Sequence, residues 1–351
     1  MTKRTRNKNI IIIGGGGFIG SYLAKDLSQI DDNNVIVLDR QFDIFNKFEI
    51  FNKIENNSKS IYQNIKIIEY DLTSEDPIPF TKLINYLDPD KEILIFNLAA
   101  TVGPKLVISK INYMDYELQL QLKIKKIIEF LIDKLYIINS FIYFSTSEVY
   151  GDQVYQNEHH ELILPNVENK NFDRNRYSIS KNYFENYWKE FFINLKLKNN
   201  FNNFKYLIIR PFNVIGPFQR NDFVIPIMIN KVLNNEEIIV YGDGSQRRNF
   251  IYIDDFIYAL KLIIDSDLDY EIFNIANLNN TITIKSLAYK IIQIMKRLKN
   301  IDYTKDIKFV QDNILIGQKD RLAGTDRLYN ELKFRPEYDL DRSIENILKK
   351  Y

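Results

Sequence analysis

The sequence predicts an α/β fold: a doubly wound parallel sheet followed by a smaller carboxyl-terminal region. Three observations carry this. Short apolar runs alternate with amphipathic helical stretches through the first two-thirds of the chain, the pattern of a parallel sheet covered on both faces. The first run, Ile10–Ile13, passes directly into a glycine-rich turn and a helix, Gly14-Gly-Gly-Gly17-Phe18-Ile19-Gly20. An acid, Asp39, closes the second run. Such a turn lets backbone N–H groups approach a pyrophosphate at a helix N-terminus, where the helix dipole also favours anions.

The elements follow in order. Asn9–Ile13 reads as strand one and Val35–Leu38 as strand two. Residues 40–64 form a long polar connection. Ile65–Tyr70 is strand three, followed by Asp71. Ile93–Leu98 is strand four, followed by the small residues Ala99 and Ala100. Residues 113–135 read as a long helix, Phe141–Ser145 as strand five, 177–197 as a second long helix and Tyr206–Ile209 as strand six. Beyond Arg210-Pro-Phe-Asn213 the pattern changes to helices near 224–234, 254–265, 285–298 and 341–350, with turn signals at Gly216-Pro217 and Gly242-Asp-Gly244. The division expected is a Rossmann-type dinucleotide-binding domain over 1–213, to which strands and a helix near 249–277 return, and a substrate-binding region over 214–351.

Composition narrows the chemistry. The 351 residues are 45% hydrophobic, enough for one large domain or two closely joined ones. A net charge of +1 argues against nucleic acid or a membrane surface as partner. Lys3, Arg4, Arg6 and Lys8 read as a solvated basic tail. No apolar run is long enough to span a bilayer, and Ile10–Ile13 is too short for an export signal, so a cytoplasmic location is expected. Cysteine is absent, and the only histidines, His159 and His160, are adjacent with no spaced partner. No metal site is therefore expected. Tyr, Lys, Thr, Glu and Arg must carry the chemistry.

Asp39 is placed to hydrogen-bond the adenosine ribose and to repel a 2′-phosphate, which favours NAD over NADP; Arg40, next to it, works the other way. Asp71-Leu72 either touches the adenine or simply ends strand three in a turn. Leu98, Ala99 and Ala100 are assigned to the same cofactor site. Tyr177 and Lys181 are four apart and share one helix face. A lysine beside a tyrosine lowers the phenol pKa, making a proton acceptor usable near neutral pH. Ser145-Thr146-Ser147-Glu148 closes strand five at the sheet edge where ligands sit. Thr146 can hydrogen-bond the hydroxyl that Tyr177 deprotonates, and Glu148 adds a titratable carboxylate, or is a solvated loop acid. The stripe Tyr183, Phe184, Tyr187, Trp188, Phe191, Phe192 has helical spacing and fits a core or a helix–helix seam better than a ligand-stacking row.

Together these motifs resemble the extended short-chain dehydrogenase/reductases that modify nucleotide sugars, over nearly the whole chain. Gly14–Gly20 is similar to that family's GxxGxxG, Tyr177 and Lys181 to its YxxxK, and Thr146 to its catalytic Ser/Thr. Arg210-Pro-Phe212-Asn213-Val-Ile-Gly-Pro217 is similar to its RxFNxxGP, and Tyr241-Gly-Asp-Gly-Ser-Gln246-Arg-Arg248-Asn-Phe250 to its YGxGxQxRxF. The resemblance implies a nucleotide diphosphate or sugar contact for Asn213, a phosphate contact for Arg248, substrate contacts for Ser147 and Tyr241, and a cofactor contact for Phe212. Guanidinium is well suited to a phosphate oxygen pair. Asn97 stands where a histidine is frequent.

Thr146-Ser147-Glu148 is the triplet of UDP-glucuronate decarboxylases, and GDP-mannose dehydratases share it. The stretch from Glu158 to Lys181 resembles UDP-glucuronate decarboxylases and UDP-apiose/xylose synthases. Arg321 aligns with their arginine for the substrate carboxylate, although Arg321-Leu-Ala-Gly324 lacks the proline and aspartate of their R-x-P-D. The implied activity is NAD-dependent C4 oxidation of a nucleotide sugar, as a UDP-glucuronate decarboxylase giving UDP-xylose or its 4-keto form. A 4-epimerase or a 4,6-dehydratase is the alternative, and a catalytically idle nucleotide-binding scaffold is a third reading. The family resemblance also implies a homodimer through a four-helix bundle of the two long helices.

Overall fold

A computed structural model describes residues 4–30, 32–47, 65–101, 107, 109, 111–151, 155–156, 172–199, 204–268, 271–311 and 320–351. Within the polar connection, residues 43–47 are helical, and 48–64 lie outside the described residues. So do His159, His160 and the rest of the stretch from 157 to 171.

The chain runs β1 (Asn9–Ile13), α1 (Phe18–Ser28), β2 (Asn34–Asp39), β3 (Ile65–Glu69), α2 (Phe80–Tyr86), β4 (Ile93–Asn97), α3 (Tyr113–Asp133) and β5 (Ile138–Phe144). A 3₁₀ turn (Ser147–Tyr150), β6 (Tyr155–Gln156), α4 (Phe172–Asn199), β7 (Lys205–Pro211) and β8 (Asn213–Ile215) come next. The remainder is α5 (Val224–Leu233), β9 (Ile238–Tyr241), β10 (Arg247–Tyr252), α6 (Ile253–Asp265), β11 (Ile272–Ile275), β12 (Thr281–Thr283), α7 (Ile284–Lys299), β13 (Ile307–Val310), β14 (Asp320–Ala323) and α8 (Leu340–Leu348). Two compact units result: 1–145 with 172–209 and 261–272, and 146–171 with 210–260 and 273–351.

The first unit is built on a seven-stranded sheet in the order β11-β7-β5-β4-β1-β2-β3. The pairings from β3 through to β7 are all parallel. At the edge, the Ile208 N–H donates to the Glu271 carbonyl at 2.6 Å. Ile10–Ile13 are fully buried, as a central parallel strand covered on both faces must be. The strand order reverses between β1 and β4, the point at which open α/β sheets leave a crevice for ligands. Helix α3 buries Leu120, Ile124, Ile127, Ile128 and Leu131 along one face. Of the aromatic stripe on α4, Phe184, Trp188 and Phe192 enter this core, with Trp188 and Phe192 on Phe141 at 4.7 and 4.9 Å. Tyr183, 53% exposed, stays at the surface.

The second unit holds a five-stranded sheet, β12-β10-β14-β6 with β8 on β10, and the parallel pair β9–β13. Apolar faces of α5, α7 and α8 close around Phe250. Thr283 caps α7 by accepting the Ser286 N–H at 3.1 Å, and Asp339 caps α8 by accepting that of Arg342 at 2.8 Å.

Candidate active site

In the first unit the site begins where β1 turns into α1. Gly17 caps α1 and has no side chain to satisfy the first-turn N–H groups, which include Phe18, Ile19 and Gly20. Gly14 adopts φ +79°, and a Cβ there would stand 2.6 Å from the Ala99 nitrogen; one on Gly20 would stand 2.5 Å from the Gly15 Cα. Turn, helix and the end of β4 therefore approach more closely than any side chain permits. This is a cradle of backbone donors at the sheet's reversal.

Asp39 pins the cradle. One carboxylate oxygen accepts the Gly16 N–H at 2.9 Å and the other accepts that of Arg40 at 2.7 Å. Burial pushes this carboxyl up, against the downward pull of these N–H groups, that of Gln41 and the Arg40 charge. Arg40 itself pairs with Asp71 at 3.7 Å and donates to the Tyr116 hydroxyl at 3.4 Å. Asp71 accepts the Thr73 N–H at 2.8 Å and its hydroxyl at 2.7 Å, so it does form the turn that ends β3. Burial raises the Asp71 carboxyl, but the Thr73 bonds and the Arg40 charge outweigh it and hold the group below its usual range. Leu72 and Ala99 are buried, Leu98 and Ala100 half-buried. The donor cradle and the carboxylate on β2 together fit a dinucleotide.

Further along the unit, Lys181 on α4 is buried and donates to the Phe144 carbonyl at 2.7 Å. Its Nζ lies 4.9 Å from the Tyr143 ring centroid and 6.0 Å from that of half-buried Tyr177. Burial pushes Lys181 down to about 8, opposed by Glu117 and Glu185. Asn97 donates to the Gln121 amide oxygen at 2.8 Å, which also receives the Trp188 indole N–H at 2.9 Å.

The second unit gathers a different set. Thr146 caps the turn after β5, its hydroxyl accepting the Glu148 N–H at 3.2 Å; Ser147 is buried behind it. Glu148 forms an ion pair with Arg321 at 3.3 Å, the Arg321 side chain being only 11% accessible and that of Glu148 36%. Arg248 and Arg321 are register partners on the parallel strands β10 and β14, so they stand side by side. Arg248 donates to the Arg247 carbonyl at 2.7 Å, and Asn213 donates to the Asn249 carbonyl at 2.8 Å. The Tyr241 carbonyl accepts from Gln246 at 2.8 Å. Phe212 is buried with Ala276 and Ala323. Arg210 lies over the Tyr150 ring at 4.8 Å.

Three polar residues escaped the sequence reading. Glu117 and Gln121 sit on the apolar face of α3, four apart; a polar residue at an apolar position of a helical repeat is the signal that could have marked them. Asn274, on β11, accepts from the Tyr150 hydroxyl at 2.9 Å and donates to the carbonyls of Gln156 and Gly324, each at 2.9 Å. It thus ties the turn bearing Glu148 to the strand bearing Arg321. Among the described residues no acidic, histidine or cysteine cluster could hold a metal ion, and no helix is long and apolar enough to cross a membrane.

Comparison with known proteins agrees with this geometry. The sequence model of the NAD dependent epimerase/dehydratase family matches residues 10–276. A dTDP-D-glucose 4,6-dehydratase of Dictyostelium discoideum is 28% identical over 82% of this chain, an alignment that spans 62% of that protein. A UDP-N-acetyl-alpha-D-glucosaminuronate decarboxylase of Bacillus cytotoxicus is 30% identical over 77% of this chain and 75% of its own. Among solved structures, a UDP-N-acetylglucosamine 4-epimerase from Methanobrevibacter ruminantium M1, in complex with UDP-N-acetylmuramic acid, is 27% identical with a TM-score of 0.68 over 98% of both chains.

Proposed function

Because the chain belongs to the NAD dependent epimerase/dehydratase family, and is an NAD-using enzyme of the extended short-chain dehydrogenase/reductase type, we propose that it oxidises a nucleotide-linked uronic acid at C4 and decarboxylates it. UDP-glucuronate is the substrate proposed, and UDP-xylose or its 4-keto precursor the product. The observation that carries this reading is the Glu148–Arg321 pair: a largely buried guanidinium beside a second arginine and in an ion pair with a carboxylate. A substrate carboxylate can compete for such a cation, because a guanidinium presents a fork of donors that matches a carboxylate. The similarity to a decarboxylase acting on another nucleotide-linked uronate supports it.

The first-turn N–H groups at Gly17–Gly20 would hold the NAD pyrophosphate and Asp39 the adenosine ribose. Bound NAD supplies a hydride acceptor for C4 and later a donor. Tyr177 takes the C4 hydroxyl proton, with Lys181 beside it favouring the phenolate. The ketone at C4 is β to the carboxylate borne on C5, so carbon dioxide leaves as the C–C electron pair delocalises onto the C4 oxygen. Hydrogen bonds from Thr146 and Tyr177 stabilise that oxygen as charge develops. Arg321 orients the carboxylate, Arg248 binds a phosphate of the diphosphate, and Glu148 or a water that it orients protonates C5.

A dehydratase would use Glu148 to remove the C5 proton instead, and the similarity to a 4,6-dehydratase supports that second reading. Incubation of purified protein with UDP-glucuronate separates them. Release of carbon dioxide with formation of a UDP-pentose is expected, and Arg321→Met should lower it by about two orders of magnitude or more. UDP-galacturonate without carbon dioxide, or unchanged substrate, overturns the proposal.

A homodimer is also proposed. Leu118 and Leu122, one turn apart on α3, and Tyr183 on α4 remain 37–53% exposed on helices that pack against each other.

A further inference from the structure

Arg40 directly follows Asp39, and an arginine at such a place can receive the 2′-phosphate that distinguishes NADP from NAD. The fold gives this one other work. Both Asp39 oxygens go to backbone: Oδ2 accepts the Gly16 N–H at 2.9 Å, and Oδ1 accepts those of Arg40 at 2.7 Å and Gln41 at 3.3 Å. The Arg40 main chain is thereby fixed beside the glycine turn, while its guanidinium reaches across to two other elements. Nη1 lies 3.7 Å from Oδ2 of Asp71, past the end of β3, and donates to the Tyr116 hydroxyl of α3 at 3.4 Å. Asp71 is a well-anchored partner. Its Oδ1 accepts the N–H and the hydroxyl of Thr73, and its carbonyl accepts the Ser74 N–H at 3.0 Å. Lys123 of α3 holds the same loop, donating to the Tyr70 hydroxyl at 2.7 Å and the Asp76 carbonyl at 3.2 Å. The corner thus sets the carboxylates of Asp39 and Asp71 around the Arg40 guanidinium. The side chains of Arg40 and Asp71 are 54% and 38% accessible, so an incoming ligand can reach both.

We propose that Asp71 is a specificity-determining residue for the cofactor: by holding the Arg40 guanidinium towards β3 and α3, it withholds that cation from a 2′-phosphate and so reinforces the choice of NAD. This rests on the reading of Asp39 as the ribose contact. A phosphate ester on the ribose 2′-oxygen would bring nearly two further negative charges beside Asp39. To meet them, Arg40 would have to leave Asp71, and the carboxylate left behind would add to the repulsion. NAD asks for neither step, since its 2′-hydroxyl can donate to Asp39 and leaves the Arg40–Asp71 pair intact. The cost falls on one cofactor and not on the other, which is the form that selectivity takes. Such a device acts on the ratio of the two affinities. Any contact of Asp71 with the adenine is common to both cofactors and cancels from that ratio.

Calorimetric titration of each variant with NAD and with NADP supplies the two dissociation constants. Asp71→Asn keeps an acceptor for Thr73 but loses the charge, so the ratio of the NADP Kd to the NAD Kd should fall about tenfold as Arg40 turns to the phosphate. In the double variant Asp71→Asn with Arg40→Gln that gain should vanish. An unchanged ratio in Asp71→Asn, or NADP binding still below detection there, overturns the proposal, as does a gain that survives the loss of Arg40. Equal weakening of both cofactors leaves the ratio where it was and counts against the proposal in the same way, because Asp71 then serves the adenine or the turn alone. The ribose reading is judged separately. Asp39→Ser should lower the ratio by itself, and a ratio unmoved in that variant rejects the ribose contact whatever Asp71→Asn shows.

Discussion

At Lys181 the chemistry proposed comes with a cost to the fold. The residue's ordinary pKa of 10.5 is pushed down to about 8 in the folded chain, chiefly by burial. Between those values the unfolded chain binds a proton that the folded chain does not, so stability rises with pH across that window. Below about pH 8 both states are protonated and the cost of burying the ammonium is felt in full. Wild-type protein should therefore gain stability relative to Lys181→Met as pH rises from 8 towards 10.5, by up to ~3 kcal/mol, read from denaturant unfolding at several pH values. A flat difference across that range would mean that Lys181 is not desolvated as described. At this scale the sequence was informative where the proposed chemistry needs a fixed spacing, as with Tyr177 and Lys181, which do lie on one helix. It marked Glu117 only by a charge within the apolar repeat of α3, where Tyr113, Leu120 and Ile124 are buried along with it. Nor could it reveal that Glu148 and Arg321, 173 positions apart, share an ion pair.

At the scale of elements, the glycine turn makes the firmest demand. Gly20→Ala would drive a methyl group into the Gly15 Cα and the Gly14 carbonyl. The helix or the turn must shift, at about 1–3 kcal/mol. A lower melting temperature together with weakened NAD binding by calorimetry is the expected pair of results; unaltered NAD affinity would separate the turn from the cofactor. The long elements were legible because their periodicity is strong: β1 and helices α3, α4, α5, α6, α7 and α8 lie within a few residues of the positions that spacing predicts. Helix α2 was not, since its seven residues bury only Leu83 and give no repeat to read. The short strands β6, β12 and β14 were equally hidden. They exist because partners distant in sequence supply their hydrogen bonds, as when β14 pairs with β10 on one side and β6 on the other.

For the whole molecule, the proposed dimer is the simplest statement to check. Static light scattering at micromolar concentration should give about twice the 41.8 kDa chain mass, and Leu122→Glu should shift it towards one chain. A single-chain mass for the unaltered protein would leave the apolar face of α3 and α4 without that role. The order of the chain through its two units has a further consequence, for biosynthesis. The first unit takes residues from three separate stretches, the last being 261–272 of a 351-residue chain. That stretch supplies the Glu271 carbonyl bound by Ile208 and the Lys261 ammonium that pairs with Asp26 at 2.7 Å. A ribosome releasing this polypeptide from its amino end must therefore expose β7 as an open margin while some sixty further residues are made, a long interval in which a nascent strand of Leu207, Ile208 and Ile209 is a natural client for a chaperone.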